Sequence, residues 1–397
     1  MERTAGWGRA ARRRISRALA ALMLAALVLT IPGGRPAEAQ QQAIRPVSWW
    51  QNRYDASWPG QREQFLPLST SVDSWDHYNL AYAIDGPTAM YLATGNTTYL
   101  DQALVFANNL RASARPSKDL GPAAFRDSFM GWTSFKNGQT GNEVPLFESY
   151  AWRYVTRLLR VIRLTPALYA NPGYRQQYDR LLAFAEVNLF DKWHARGVNA
   201  YVYRVNANMA SHWAFIAMDL SLMTTDPARL AKLRAVFDNI NHHMPVYGGA
   251  SLHGQMIAHP LNPGALFWDD EWGTFERPGQ DVGHANNVLA YIVEAQGLGM
   301  GGWTRADMAK FCVLFDKIVW PAATTYAEFV DGSGGGSGWF TEGFMKLGRY
   351  DAAIQRRLES HGVAEGVSMF GNGALNAKIL AGTTPRAFLP LVGSDRP

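Results

Sequence analysis

The chain has 397 residues, and its 38 basic side chains outnumber its 33 acidic ones. Seven of the basic residues but only two of the acidic ones fall within residues 1–39, so the rest of the chain is neutral. A neutral body offers no broad positive field for phosphates, which disfavours nucleic-acid binding. The single cysteine excludes an intrachain disulfide and leaves stability to the apolar core.

Residues 1–39 have the three parts of an export signal. An arginine-rich start precedes the apolar run 18–31, and the small-residue sequence Ala37-Glu38-Ala39 follows it. This run is too short to cross a bilayer core of about 30 Å, and no later apolar stretch is long enough either. We expect cleavage before Gln40 and a secreted or periplasmic protein with no membrane anchor.

From residue 76 onward, apolar side chains recur at three- and four-residue spacing, which is typical of amphipathic helices. The break Thr94-Gly95-Asn96 separates the first two runs into a helical hairpin. Helices are predicted in this way at 78–93, 99–110, 144–162, 176–189, 211–223, 227–241, 288–298, 305–318 and 350–358.

The connections between these helices have unequal lengths. Short strands are predicted within 195–206 and 247–282, with 198–203 the best case. The chain has no strand–helix alternation, no dinucleotide fingerprint and no phosphate-binding loop, which argues against a nucleotide-binding α/β fold. The glycine-rich stretch 331–338 is interpreted as a loop, because helical signals resume at Trp339.

Helical hairpins bury all their apolar faces when they close into a ring. We therefore predict an all-α fold, an (α/α) toroid of helical hairpins with minor β structure in its loops. Residues 40–397 are expected to form this toroid as a single catalytic domain. No oligomeric state is predicted.

The densest group of polar side chains lies within residues 247–287. Such density is stable only where a ligand or water satisfies the polar groups, or where they bond one another. His284 and Asn287 are three residues apart at a predicted helix start, so both can face the same mouth. The alternative is a capping network with Asp281 as the N-cap.

Three smaller clusters add candidates. Asn208 and His212 are four residues apart and share a helix face, although a bonded core histidine is the alternative. Asn142 and Glu143 precede a helix N-terminus, which favours an anion. The segment 73–79 adds two substrate-binding candidates, His77 and Tyr78.

Tryptophans are common in the predicted loops, and an indole face matches the apolar face of a sugar ring. Trp268 and Trp339 are the candidates for sugar contact, with core packing as the alternative. Asp270 lies in the same loop as Trp268 and is a further substrate-binding candidate.

The hairpin 94–103 resembles one that recurs in α/α-toroid enzymes acting on polysaccharides. The segments around His212 and His253 and the sequence 281–287 resemble toroid polysaccharide lyases of the alginate and glucuronan type, over roughly residues 75–380. The resemblance implies a secreted enzyme that cleaves uronic-acid-containing glycans by β-elimination. Its substrate would be a polysaccharide or oligosaccharide.

In such lyases, Asn, His or Arg side chains neutralise the C5 carboxylate of the uronate, and a Tyr or His removes the C5 proton. Donors at the carboxylate lower the barrier because charge builds on its oxygens. The resemblance implies that Asn208, His212, His253, His284 and Arg277 surround the carboxylate. Tyr247 is the preferred base, with Tyr203 and Tyr78 as rivals.

Two other functions stay open. An inverting glycoside hydrolase on the same fold would need two carboxylates, one as acid and one as base. No spacing selects a pair from the candidates Asp76, Glu143, Asp269, Asp270, Glu271 and Asp281. A non-catalytic glycan-binding protein would use the tryptophans alone.

No cofactor and no structural metal are predicted. A divalent cation held by the acidic run 269–271 with His253 or His259 stays an alternative.

Overall fold

The computed structural model describes residues 43–121, 125–363 and 365–382. The predicted export signal lies outside these residues. In the part of the chain that the structure describes, no helix is both long and apolar enough to cross a membrane. The α-helices, in chain order, are α1 (Val47–Thr70), α2 (Ser74–Thr94), α3 (Thr98–Ser113), α4 (Pro145–Leu164), α5 (Pro166–Ala170), α6 (Pro172–Phe184), α7 (Lys192–Tyr201), α8 (Ala207–Ser221), α9 (Pro227–His242), α10 (Leu252–Gln255), α11 (Val282–Gly297), α12 (Arg305–Val313), α13 (Ala352–Glu359) and α14 (Val367–Leu380).

Five helices and one 3₁₀ segment form a closed inner ring. Helix α2 packs on α4, α4 packs on α8, and α8 packs on α11. Helix α11 contacts the 3₁₀ segment Phe344–Arg349, which contacts α14. Because α14 also packs on α2, the ring closes. The predicted all-α toroid is confirmed.

An outer layer of helices covers the ring. Helix α1 packs on α2 and α14, α3 on α2, α6 on α4, α9 on α8, and α13 on α14. Outer helix α9 buries one stripe of residues at three- and four-residue spacing, which includes Leu233, Val236 and Ile240. Inner helix α11 buries every residue from 285 to 295. Burial on all sides therefore distinguishes the inner helices from the outer ones.

The inner helices run in the same direction. His212, near the start of α8, bonds to Asn287, near the start of α11. Arg160, near the end of α4, pairs with Asp219, near the end of α8. The helix N-termini therefore gather at one end of the ring, here called the N-terminal mouth, and the C-termini gather at the C-terminal mouth.

Two short antiparallel β-ribbons lie in the connections between helices. Strand β1 (Arg115–Pro116) pairs with β2 (Met130–Gly131), and β3 (Ile257–His259) pairs with β4 (Asn262–Phe267). The second ribbon lies within the loop 247–282, where strands were predicted. The strand predicted at 198–203 is wrong, because these residues form the end of α7 and the following turn. The four-residue spacing of Val198 and Val202 fits this helix end.

The interior of the ring holds a buried network of charges toward the C-terminal mouth. Glu294 accepts a hydrogen bond from Arg160 at 2.8 Å and lies 3.2 Å from Arg157. Arg157 also donates to Asp85 at 2.9 Å. Burial is tolerated here because each carboxylate has basic partners. The members of this network are Asp85, Arg157, Arg160, Asp219, Glu294, Lys346 and Arg349.

Candidate active site

Aromatic side chains line the N-terminal mouth. The ring of Tyr78 stacks on that of Tyr150, with centroids 3.8 Å apart, and lies 5.0 Å from Trp75. Tyr82, one turn further along α2, faces Trp339 at 6.2 Å. Trp339 is 44% exposed, so its indole is open to a sugar face. The structure thus brings two of the predicted substrate contacts, Tyr78 and Trp339, to one mouth.

Glu342 lies buried beneath this aromatic wall, and sequence reasoning did not identify it. The hydroxyl of Tyr150 donates to one carboxylate oxygen at 2.6 Å. The hydroxyl of Tyr154 and the guanidinium of Arg153 donate to the other at 2.7 and 2.6 Å. Burial, with the charge of Glu342, raises the pKa of Tyr78 to about 12. Tyr78 is therefore poorly suited to act as a base near neutral pH.

Asp270 is held beside the N-terminus of α8. It accepts hydrogen bonds from the amides of Asn206 at 2.6 Å and Gln280 at 2.9 Å. Gln280 is fixed in turn by the indole of Trp268 at 2.5 Å. Burial raises the pKa of Asp270 despite these bonds, and the charge of Asp281 adds to the effect. Asp270 therefore keeps its proton to a higher pH than an exposed aspartic acid does.

Asp281 and His284 form a pair at the start of α11. The Asp281 carboxylate accepts from the backbone N–H of His284 at 3.0 Å and lies 2.6 Å from its Nδ1. Asp281 is therefore the N-cap of α11, as the capping alternative predicted. His284 remains half exposed, with Nε2 as the ring nitrogen that does not face Asp281. The pair combines a structural cap with a solvent-accessible imidazole.

The pair changes the proton affinities at the mouth. The hydrogen bond to Asp281 raises the pKa of His284 and outweighs burial. Burial alone would raise the pKa of Asp281, but hydrogen bonds from His284 bring it below its ordinary value. The carboxyls of Asp270 and Asp281 are thus shifted in opposite directions, which suits one to donate a proton and the other to accept one.

His212, Asn287 and Asn208 form a buried layer below the mouth. His212 is 1% exposed, and its two ring nitrogens lie 3.1 Å from the Ser149 hydroxyl and 3.1 Å from the Asn287 amide oxygen. Burial lowers its pKa well below the ordinary value, with the charge of Arg153 adding to the effect. This corrects the assignment of His212 as a substrate contact, because it is a neutral, hydrogen-bonded core residue.

His253 lies apart from the other two predicted histidines. Its ring stacks on Trp303 at 3.9 Å, and its Nε2 lies 2.6 Å from the carbonyl oxygen of Gly301. Gly301 follows the C-terminal end of α11, whereas His284 lies at the start of this helix. A helix of this length spans more than about 20 Å. The predicted grouping of three imidazoles around one carboxylate is therefore not formed.

The predicted arginine and tyrosine have other partners. Arg277 pairs with Asp331 at 2.8 Å beside the loop 331–338. Tyr247 is 39% exposed and lies near the charge of Arg204, and burial raises its pKa. Its rival Tyr203 is buried and accepts from the amide of Asn239 at 2.7 Å. These residues do not form a pocket for a uronate carboxylate with a base of lowered pKa beside it.

Several other predicted contacts are structural. Glu143 is buried and pairs with Arg196 at 2.9 Å. Neighbouring Asn142 donates to a side-chain oxygen of its own loop at 3.4 Å. His77 is fully buried, and burial lowers its pKa to about 4. Trp268 is fully buried too and acts through Gln280 rather than on a sugar. The buried residues Glu143, His77 and Trp268 have structural partners and are not open to a substrate, whereas Asn142 is partly exposed and stays a predicted contact.

Two other acidic candidates, Asp269 and Asp76, accept hydrogen bonds from residues close to them in the chain. Asp269 accepts from the hydroxyl of Thr274 at 2.8 Å and from a backbone N–H at 2.6 Å. Asp76 accepts from the hydroxyl of Ser71 at 2.6 Å. Across residues 43–121, 125–363 and 365–382, no three or more His, Cys, Asp or Glu side chains are grouped as a metal site.

No protein-family model and no curated protein sequence matches the chain. Among solved structures, it is similar to an inactive variant of an α-1,6-mannanase from Salegentibacter sp. HEL1_6 in complex with α-1,6-mannotetrose. The identity is 11% and the TM-score 0.43, over 85% of this chain and 99% of that chain. An inactive variant with α-1,6-mannotriose gives 12% and 0.40, over 79% and 90%. Likeness of this degree does not determine a reaction or a substrate.

Proposed function

We propose that the chain is a glycoside hydrolase in which Asp270 is the general acid and Asp281 the general base. The observation that carries this proposal is that two partly exposed carboxyls lie at one mouth with different partners: Asp270 accepts from two side-chain amides, and Asp281 bonds to His284. Burial raises the pKa of Asp270, whereas hydrogen bonds from His284 outweigh burial and lower that of Asp281. Opposed shifts of this kind are typical of an acid–base pair.

In the proposed reaction, the Asp270 carboxyl donates its proton to the glycosidic oxygen as the bond from that oxygen to the anomeric carbon breaks. A water molecule attacks the anomeric carbon, and its proton passes to the Asp281 carboxylate. His284 keeps Asp281 ionised and fixes its orientation. Because water attacks directly, we expect the configuration at the anomeric carbon to be inverted.

The substrate we propose is a neutral oligosaccharide or polysaccharide. Tyr78 and Trp339 offer aromatic faces on which a sugar ring can stack. Asp281 and Glu342 already neutralise His284 and Arg153 at this mouth, so little net positive charge is left to attract a uronate carboxylate. A neutral sugar needs no attracting charge, and its hydroxyl groups can form hydrogen bonds with the exposed polar side chains.

A uronate lyase is the second candidate, and one observation favours it. The raised pKa of His284 keeps this half-exposed imidazole charged to higher pH, so the mouth contains one cation that could pair with a uronate. The lyase reading lacks a suitable base, because burial raises the pKa of Tyr78 to about 12 and that of Tyr82 higher still.

The test is to incubate the full chain with α-1,6-mannan, α- and β-glucans, xylan, alginate and glucuronan. We expect new reducing ends from a neutral glycan without the ultraviolet absorbance of an unsaturated uronate. Asp270→Asn protein, purified in parallel, controls for contaminating enzymes. Product with that absorbance from alginate or glucuronan would make the chain a lyase. Glycan binding without any product would make it a binding protein, and either result overturns the proposal.

A further inference from the structure

A cavity opens at the C-terminal mouth, at the end of the ring opposite to the candidate active site. Its volume is about 150 Å³, and its walls come from the last turns of α2, α4, α11 and α14. The apolar part of the wall includes Leu92, Leu164, Leu298 and Ile379. The hydrolase proposal makes no use of this cavity.

The charged part of the wall belongs to the buried network described above. Arg157, Arg160, Arg349 and Glu294 line the cavity directly. The network as a whole contains four basic and three acidic side chains, so it has one formal positive charge in excess. An unmatched charge in a low-dielectric interior is costly unless a counter-ion approaches it.

Within this network, Arg349 is the basic residue with the weakest pairing to an acidic side chain. Its Nη1 lies 3.6 Å from Glu294, compared with 2.8 Å for Nη2 of Arg160. Its Nε donates to Asn376 at 3.2 Å, but its Nη2 has no hydrogen-bond partner although the side chain is only 9% exposed. Nη2 of Arg157, in contrast, lies 3.2 Å from Oε1 of Glu294 and is paired in charge, although neither atom has a well-aligned hydrogen-bond partner. Buried donors without acceptors mark an incomplete polar site.

We propose that this cavity binds a monocarboxylate with a short hydrocarbon chain. The carboxylate would pair with Arg349, whose Nη1 lies no closer than 3.6 Å to Glu294, since a guanidinium fork matches the geometry of a carboxylate. One negative charge neutralises the single positive excess. The hydrocarbon chain would contact the leucine side chains of the apolar wall.

The volume of the cavity and the charge of the network limit further which ligands can bind. A cavity of roughly 150 Å³ accommodates a molecule as large as benzene, which corresponds to an acid such as butyrate. Phosphate carries more charge than the excess in the network and has no apolar part for the leucine wall. A neutral alcohol of the same length would leave the excess positive charge of the network without a counter-ion.

The experiment is calorimetric titration of the full chain with butyrate, n-butanol and phosphate at matched ionic strength. We expect saturable binding of butyrate, and at least tenfold weaker binding of butanol and phosphate, because a charge-assisted pair is lost or mismatched. Equal binding of all three ligands, or no binding of butyrate, would overturn the proposal.

Variants locate the binding. Arg349→Gln removes the unpaired donor, and we expect butyrate affinity to fall at least about tenfold. Gly297→Leu fills the cavity without changing charge, because a side chain at Gly297 meets nothing within 4 Å. Gly297→Leu still tests the proposal if Arg349→Gln does not fold. Arg163→Gln is the matched control on α4, since Arg163 stacks on Tyr169. Butyrate affinity that survives in Gly297→Leu would show that the ligand binds elsewhere.

Discussion

The two mouths of the ring use carboxylates in opposite ways. At the N-terminal mouth, Asp270 and Asp281 are partly exposed and have few basic partners, and their pKa values move apart. Toward the C-terminal mouth, Glu294 is buried among basic residues, which bring its pKa well below the ordinary value although burial opposes them. The first arrangement allows proton exchange, and the second fixes a charge. Environment, rather than residue type, separates a candidate catalytic acid from a structural ion.

The chain connections explain why the mouths differ. An inner helix is followed by a short connection to its outer helix, such as 95–97 after α2 and 222–226 after α8. The return from α9 to α11 spans 243–281 and crosses the N-terminal mouth with Asp270. Among the described residues, this long polar loop lies at the N-terminal mouth. The C-terminal mouth is bordered by helix termini and their ion pairs, which surround the cavity described above.

The largest expected effect is on catalysis at the N-terminal mouth. Asp270→Asn removes the proposed proton donor, so we expect turnover of a neutral glycan to fall roughly a hundredfold to ten-thousandfold. Stability should change little, because the raised pKa of Asp270 means that burial already disfavours its charge. Initial rates of reducing-end release, with urea unfolding of the same protein, measure both quantities.

The adjacent carboxylate provides the control for that variant. Asp269→Asn changes a residue that bonds Thr274 and a backbone N–H within the same loop. We expect it to retain most of the turnover. Equal losses in Asp269→Asn and Asp270→Asn would mean that loop conformation, rather than proton donation, limits the rate.

The next effect is on stability at the opposite mouth. Glu294→Gln leaves Arg157, Arg160 and Arg349 facing a neutral amide, so we expect the free energy of unfolding to fall by roughly 3–5 kcal/mol. Asp179→Asn breaks the exposed pair with Arg175 and should cost less than about 1 kcal/mol. Urea unfolding compares the two. Equal small losses would mean that the buried network does not hold the ring together.

A third effect concerns pH and two histidines. His77 has a pKa of about 4 in the folded protein because it is buried, so the unfolded state binds more protons between about pH 6.5 and 4. Its contribution to stability is therefore complete above about pH 6.5, and roughly 3 kcal/mol is lost as the pH falls toward 4. His77→Gln should flatten the decline in urea stability over this range.

His284 should act in the opposite direction. Its pKa is raised by Asp281, so its stabilisation is complete below the unfolded pKa and is lost as the pH rises through the folded pKa. His284→Gln should therefore abolish the gain in urea stability that occurs as the pH falls from the folded pKa of His284 to its unfolded value of about 6.5. If both variants shift the profile in the same direction, the assignment of one buried neutral and one paired imidazole is wrong.

Sequence periodicity was sufficient to predict the toroid but not all of its helices. Helix α1 was missed because Pro59 and Pro67 lie inside it. Helix α14 was missed because Gly371 and Gly373 weaken its helical signal. These glycines are needed for packing, since a Cβ at Gly371 would collide with the backbone of Gly86 on α2. Long-range packing of this kind has no local signature.

The proposed site lies in the segment with the densest polar side chains, but its proposed members differ in part from those predicted. Polar density in 247–287 identified Asp270, Asp281 and His284, because unsatisfied polar groups cluster where loops meet solvent. Spacing could not separate His212 from His284, since burial depends on neighbouring helices. Glu342 has three bonding partners on α4, nearly two hundred positions away in the chain, so no local pattern indicated it.

The smallest expected effect concerns the aromatic wall of the N-terminal mouth. Trp339→Ala removes an exposed indole that bonds no reacting group, so we expect KM for a neutral glycan to rise about threefold to tenfold with kcat nearly unchanged. Trp58→Ala on α1, in the outer layer, controls for general loss of a tryptophan. A fall in kcat at constant KM would mean that Trp339 acts on the transition state, and the sugar-stacking role would have to be abandoned.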